Sequence, residues 1–140
     1  MDKITGKWIG EYMYGNLYPK EWQGKVVTFE LDLTFSEGKI TGTCVDDDTK
    51  DHFSEPAIIS GFIRDNYINF IKKYPYFNQI NEDLNGIDFK QEQPSQEINY
   101  TGRFENGIFI GDWEIISTYK DSFGRTQKDL GNGSWSMHKL

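Results

Sequence analysis

Nucleophilic and imidazole chemistry have little to work with in this chain: its histidines are His52 and His138, and its one cysteine is Cys44. A covalent hydrolase needs a nucleophile with a base held beside it. His52 lies in an acidic stretch, His138 lies near the end, and no Gly-x-Ser-x-Gly elbow occurs. Cys44 follows Gly42-Thr43 with no basic neighbour in sequence to lower its pKa, so a packed or half-exposed thiol is expected. The run Asp46-Asp47-Asp48-Thr49-Lys50-Asp51-His52 gathers carboxylates, which hard cations favour. An EF-hand spacing fails there, because Lys50 falls where an oxygen ligand is needed and Asp51 where the sharp turn needs glycine. That run is expected to be a solvated loop at a hairpin end. Glu30, Asp32, Asp112 and Glu114 alternate with apolar residues, which puts them on a solvent face rather than in a catalytic pair. The sequence therefore assigns no catalytic residue, no metal and no cofactor.

Aromatic side chains carry the stronger signal, at 16% of the chain. Trp8, Tyr12, Tyr14, Phe29, Tyr100, Phe104, Trp113 and Trp135 fall on faces expected to point inward. Such a set either fills a core or lines a pocket, since tyrosine and tryptophan bury area while keeping a polar handle. Read as a pocket, the ligand-binding candidates are Tyr12, Tyr14, Phe29, Tyr100, Trp113 and Trp135, with Tyr12 and Tyr100 as the polar contacts. Arg103 joins them only if a bulge at Gly102 turns it inward, because plain alternation from Tyr100 points it out. Trp22 stands apart in Pro19-Lys20-Glu21-Trp22-Gln23, where a lid or partner-contact residue would sit. Lys72-Lys73-Tyr74-Pro75-Tyr76-Phe77 pairs a basic dipeptide with three aromatics at a strand's exit. It suits an anionic ligand head or a partner's acidic peptide, or it is an ordinary charged strand end; Tyr74, Tyr76 and Phe77 join Trp22 as partner-contact candidates.

The elements that must position these residues read as strands. Fifteen isoleucines and nine threonines stand against a single alanine, and branching at Cβ suits a pleated sheet better than a helix. In residues 26–35, Val27, Phe29, Leu31, Leu33 and Phe35 alternate with Thr28, Glu30, Asp32 and Thr34, the period of a strand with one buried face. Ser36-Glu37-Gly38 turns this run into residues 39–45. Further strands are expected at 6–14, 57–63, 67–74, 98–104, 108–116 and 133–139, with turns at Arg64-Asp65-Asn66 and Glu105-Asn106-Gly107. Residues 75–96 and 119–132 read as long loops, functional or mobile, the first with room for a short helix or an extra strand around Ile87 to Phe89. Short Gly-containing repeats such as Ile4-Thr5-Gly6 and Gly111-Asp112-Trp113 recur at irregular spacing, which suits strands that coil sharply as a sheet closes. The expected fold is all-β: a single domain over 1–140, an antiparallel up-and-down barrel of about eight strands, with a β-sandwich as the alternative.

Charge narrows the partners. Fifteen basic against 22 acidic residues give a net charge of -7, which disfavours nucleic acid and anionic membrane surfaces. No apolar run approaches the roughly 20 residues of a membrane helix, and the first residues lack the apolar stretch of a secretory signal. One cysteine fits a reducing cytosol, so a cytoplasmic location is expected.

Gly6-Lys7-Trp8 on the first strand, the hairpin-linked meander and Trp135 on the last strand resemble the calycin barrels: lipocalins, fatty-acid-binding proteins and avidins. Ile4-Thr5-Gly6-Lys7-Trp8 is similar to the start of avidin-type chains, and Gly38-Lys39-Ile40-Thr41-Gly42-Thr43 is similar to their second hairpin. The resemblance implies a closed barrel over the whole chain, with Trp8 near Lys139 in a structural role at one end. It places no biotin-contacting set, and strand-like sequence runs to the end where lipocalins carry a helix. From the residues themselves, the function expected is non-catalytic binding of a small, partly apolar molecule inside the barrel, with a lid from residues 15–24 or 75–96. The alternative is a protein-interaction module whose long loops surround a filled barrel.

Overall fold

The structure, a computed structural model, describes residues 3–51, 53, 55–80, 86–90 and 96–140, with the backbone alone at 77–80, 88–90 and 119. Among the described residues ten strands follow one another: β1 (Gly6–Tyr14), β2 (Val26–Ser36), β3 (Lys39–Asp46), β4 (Ala57–Arg64), β5 (Tyr67–Lys73), β6 (Phe77–Ile80), β7 (Ile87–Lys90), β8 (Glu97–Glu105), β9 (Ile108–Lys120) and β10 (Thr126–Lys139). Eight of them close into one antiparallel sheet in the order β1-β10-β9-β8-β5-β4-β3-β2, while β6 and β7 form a separate hairpin. The chain is an all-β, antiparallel up-and-down barrel, and pairing of β1 with β10 closes it where a sandwich would leave two sheets.

Period-2 alternation dictates the interior. In β2 Val27, Phe29, Leu31 and Leu33 are buried, while Thr28, Glu30, Asp32 and Thr34 are exposed. Asp112 and Glu114 face solvent as the sequence requires. Glycine lets the sheet coil tightly: at Gly61 a Cβ would lie 2.0 Å from the Asn69 carbonyl oxygen of the next strand.

The two ends of the barrel differ in kind. Three connections are tight turns at one end: Glu37-Gly38 (φ 53° and 82°), the turn at Asp65 (φ 56°) and Asn106-Gly107 (φ 52° and 84°). Two successive positive φ values are the geometry of a type I′ hairpin, which matches strand twist. Below them the barrel is solid. Trp8, Leu33, Ile40, Ile68, Phe109 and Met137 are almost wholly buried there, with the Trp8 and Phe109 rings 5.3 Å apart. Trp8 Nε1 donates to the Ile4 carbonyl at 2.8 Å, and its register partner is Lys139. Phe104, expected inward, is 40% exposed: it comes after the last full layer and leans on Phe109 at 4.9 Å.

The long connections gather at the other end: residues 15–25, the described parts of 47–56 and 74–96, and 121–125. The extra strand anticipated near Ile87 is β7. Residues 119–132, read as a loop, are mostly ladder: β9 and β10 stay paired from Lys120↔Thr126 to Leu130↔Ile116. This arm projects past the barrel mouth, and Thr126, Lys128, Asp129 and Leu130 are all exposed. With no buried face there, the apolar alternation that reveals a strand is missing. Asp121 fixes the turn, accepting from the backbone N–H groups of Phe123 and Arg125 at 2.9 and 3.0 Å.

Candidate functional site

The upper half of the barrel is hollow. A cavity of about 560 Å³ opens among the long connections, a volume typical of a small-molecule site. Its walls are inward positions of β1, β5, β8 and β9, where alternation places Tyr12 and Tyr14, Lys72, Ile98 and Tyr100, and Trp113. The rings pack in edge and stacked contacts. Trp113 meets Tyr12 at 5.9 Å and Tyr14 at 5.8 Å edge-on, and Tyr100 at 6.4 Å near-parallel. Leu17, Tyr18 and Pro19 reach over from the first loop, and Ile87 and Gln96 from the β5–β8 connection. Both expected lid segments thus contribute to the mouth.

Four of the seven ligand-binding candidates meet here: Tyr12, Tyr14, Tyr100 and Trp113 all line the cavity. Phe29 and Trp135 do not. They lie one layer down as its floor: Phe29 stacks beneath Tyr12 at 6.2 Å, and Trp135 stands edge-on to Tyr100 at 5.6 Å. The polar handle of Trp135 is spent on backbone, donating to the carbonyls of Thr101 and Asp112 at 3.0 and 3.1 Å. Arg103 points out to solvent. Its ladder runs without a bulge, Gly102 opposite Gly111 and Arg103 opposite Ile110, so nothing turns it inward.

The partner-contact candidates also move. Trp22 is only 5% exposed: its ring meets Tyr14 edge-on at 5.2 Å and lies under the Lys25 ammonium at 4.2 Å. The loop folds back through Gly24, whose N–H donates to the Tyr14 carbonyl at 2.9 Å, and this carries the indole into the core. Tyr74 is buried and lines the cavity, because it continues the inward series Ile68, Phe70, Lys72. Tyr76 is half-buried with Phe53 at 4.6 Å, and the Phe77 side chain lies outside the described residues.

The polar centre of the site is Lys72. It is 2% exposed, and its Nζ lies 3.6 Å from Asp46 Oδ2 and over the rings of Tyr12, Tyr74 and Tyr100 at 4.7, 4.9 and 5.3 Å. Asp46 does not sit in a solvated loop. As the last inward position of β3 it is 1% exposed, and its Oδ1 accepts from Thr49 N and Oγ1 at 3.0 and 2.9 Å. The Tyr74 hydroxyl donates to Asp46 Oδ2. Asp48 turns inward too, accepting from the Tyr14 hydroxyl at 2.7 Å and the Tyr12 hydroxyl at 3.5 Å, with Lys25 at 3.5 Å behind it. Among the described residues no cluster of side chains could hold a metal ion.

Burial governs protonation. Desolvation, the largest effect, pushes the Tyr100 hydroxyl up to about 12 and holds Tyr12, Tyr14, Tyr18 and Tyr74 well above the usual phenol range, so all keep their protons. Desolvation opposes the Lys72 ammonium, but the Asp46 carboxylate at 3.6 Å and the faces of the Tyr12, Tyr74 and Tyr100 rings favour the charged amine, and its pKa is raised. Cys44 is 2% exposed, and burial pushes its thiol up to about 12, so it is a packed side chain rather than a nucleophile.

Tyr18, Asp46 and Asp48 are ligand-site residues that the sequence does not single out as such, and Lys72 enters there only within a dipeptide suited to an anionic head. For Lys72 and Asp46 the signal was present: two-residue steps from Phe70 and Cys44 reach both. Tyr18 and Asp48 come from loops, where no period applies.

No protein-family model matches the chain, and neither does any curated protein. Among solved structures, the chain is similar to the crystal structure of rhizavidin, with a TM-score of 0.46 and 14% identity over 94% of this chain and 83% of that one. It is also similar to the crystal structure of a rhizavidin–biotin complex, with a TM-score of 0.41 and 14% identity over 96% of each chain.

Proposed function

We propose that the protein holds a small, partly apolar molecule in the mouth of its barrel and does not transform it. The cavity carries this reading: about 560 Å³ ringed by Tyr12, Tyr14, Tyr100 and Trp113, with one buried ammonium at its centre. Aromatic faces supply apolar area, and a few fixed polar groups orient a guest. The tyrosines are all protonated donors and Cys44 is packed, so the site offers a guest hydrogen bonds rather than a nucleophile. A cytoplasmic location, from the single cysteine, belongs to the same proposal. A protein-interaction role is the weaker alternative, because Trp22 and Tyr74, two of its four anchors, are buried within the chain.

Mass spectrometry of freshly purified protein, under native and then denaturing conditions, tests it together with titration by the uncharged dye Nile red. The expected result is an extra mass that leaves on unfolding, or saturable one-to-one dye binding that Tyr100→Ala and Trp113→Ala abolish. A bare chain mass with no saturable dye binding overturns the proposal.

A further inference from the structure

The two buried or half-buried carboxylates at the cavity, Asp46 and Asp48, are already engaged. Asp46 takes Thr49 N and Oγ1, the Tyr74 hydroxyl and the Lys72 ammonium; Asp48 takes the hydroxyls of Tyr14 and Tyr12 and faces Lys25. Deeper in the connection, the Gln96 amide donates to Ser117 Oγ at 2.9 Å.

The donors are not all used. Lys72 carries three N–H groups, and among the described residues its oxygen partners are Asp46 and the Tyr100 hydroxyl. The Tyr18 hydroxyl, in the space left by the missing side chain of Gly131, has no hydrogen-bond partner among the described residues. Both side chains line the same cavity.

Charge is balanced in the buried part of the site: Lys72 is set against Asp46 and Lys25 against Asp48, while Lys128 and Asp129 are both exposed at the rim. An anionic guest beside Lys72 would add an uncompensated charge to a desolvated site, and a cationic one there would find the Asp46 carboxylate already taken. A pure hydrocarbon would leave the spare Lys72 N–H facing nothing that accepts it.

We infer that the bound molecule presents an uncharged hydrogen-bond acceptor, a carbonyl or equivalent oxygen, to Lys72 and the hydroxyls of Tyr100 and Tyr18, with its apolar part against Trp113. This rests on the binding-chamber reading above. It replaces the anionic head that the Lys72-Lys73 dipeptide suggested in sequence, because Asp46 neutralises Lys72 within the barrel.

Calorimetric titration of the whole protein with two matched series, one on benzene and one on naphthalene, tests the inference. Each series carries an acetyl, an isopropyl, a carboxylate or an aminomethyl group on the same ring. The acetyl probe is expected to bind at least about tenfold more tightly than its three analogues. In Tyr100→Phe that advantage should shrink. In the charge-neutral variant Lys72→Met with Asp46→Asn it should fall to within about threefold, with both probes still bound. The paired change avoids stranding a buried charge, and Tyr100→Phe removes one oxygen only, so loss of fold cannot mimic the result. Tightest binding of the carboxylate or the amine, equal binding of acetyl and isopropyl probes, or an acetyl advantage that survives both variants overturns the inference and leaves the binding chamber standing. Failure of every probe in both series to bind overturns the chamber and the inference together.

Discussion

Lys72 Nζ lies 3.6 Å from Asp46 Oδ2 inside the barrel, and both side chains are at most 2% exposed. Neither comes from a loop: each is an inward position of its strand, β5 or β3, where the preceding inward neighbours are Phe70 and Cys44. The sheet's own periodicity has placed an ion pair where a core residue would ordinarily go. Rings of Tyr12, Tyr74 and Tyr100 surround the ammonium, and Thr49 and Tyr74 saturate the carboxylate, which makes a desolvated pair tolerable.

Breaking this pair from one side should therefore cost more than deleting it. Lys72→Met alone, or Asp46→Asn alone, is expected to destabilise by about 3–5 kcal/mol, because each strands the opposite charge. The double change should recover most of that loss. Urea unfolding of the four proteins checks it, and additive single effects would show that the two charges are not coupled.

Stability should fall steeply in alkali. Tyr100 sits at about 12 in the fold against an ordinary 10.0, and Cys44 at about 12 against 9.0, both chiefly through burial. A group whose pKa is raised by folding stabilises fully below its unfolded value, and that contribution is lost as pH climbs to its folded value. The window is therefore about pH 9 to 12, and Tyr100 alone should account for roughly 3 kcal/mol of the change. Denaturant midpoints measured across this range should drop, with tyrosinate absorbance and loss of circular dichroism rising together. A flat profile to pH 12, or tyrosines that ionise while the fold persists, would contradict the burial argument.

Two glycines should respond to alanine to different degrees. At Gly61 a Cβ would stand 2.0 Å from the Asn69 oxygen and 2.5 Å from Phe70 Cα, so strands β4 and β5 must separate. Gly61→Ala is expected to cost about 3 kcal/mol or more. At Gly24 nothing lies within 4 Å and only the φ of +81° resists, so Gly24→Ala should cost about 1–2 kcal/mol. Equal urea midpoints for the two variants would show that the closeness of β4 and β5 is not what glycine serves there.

Much of the barrel is written in its parity. Val27, Phe29, Leu31 and Leu33 are inward because they are two apart and apolar, and the Asn106-Gly107 turn forms because both residues accept positive φ. The same parity ran through Lys72 and Asp46, where residue type misled: a charged side chain at a strand end ordinarily belongs in water. Trp22 misled in the same way. Its neighbours in sequence are polar, but burial depends on the path of the loop, which Gly24 and the Tyr14 carbonyl set.

By itself, then, the sequence determined the barrel strands short of the β9–β10 arm, their inward faces except at Phe104, and the three tight turns, because alternation and turn chemistry act over a few residues. The tertiary structure decided what those faces enclose. Whether aromatic side chains fill a barrel or ring a cavity depends on volumes summed over eight strands. Phe29 and Trp135 became floor and Tyr12 and Trp113 became wall according to their height along the axis. Pairing Lys72 with Asp46, 26 positions away in the chain, required strands β3 and β5 to flank β4 in a sheet curved enough to bring their inward side chains together.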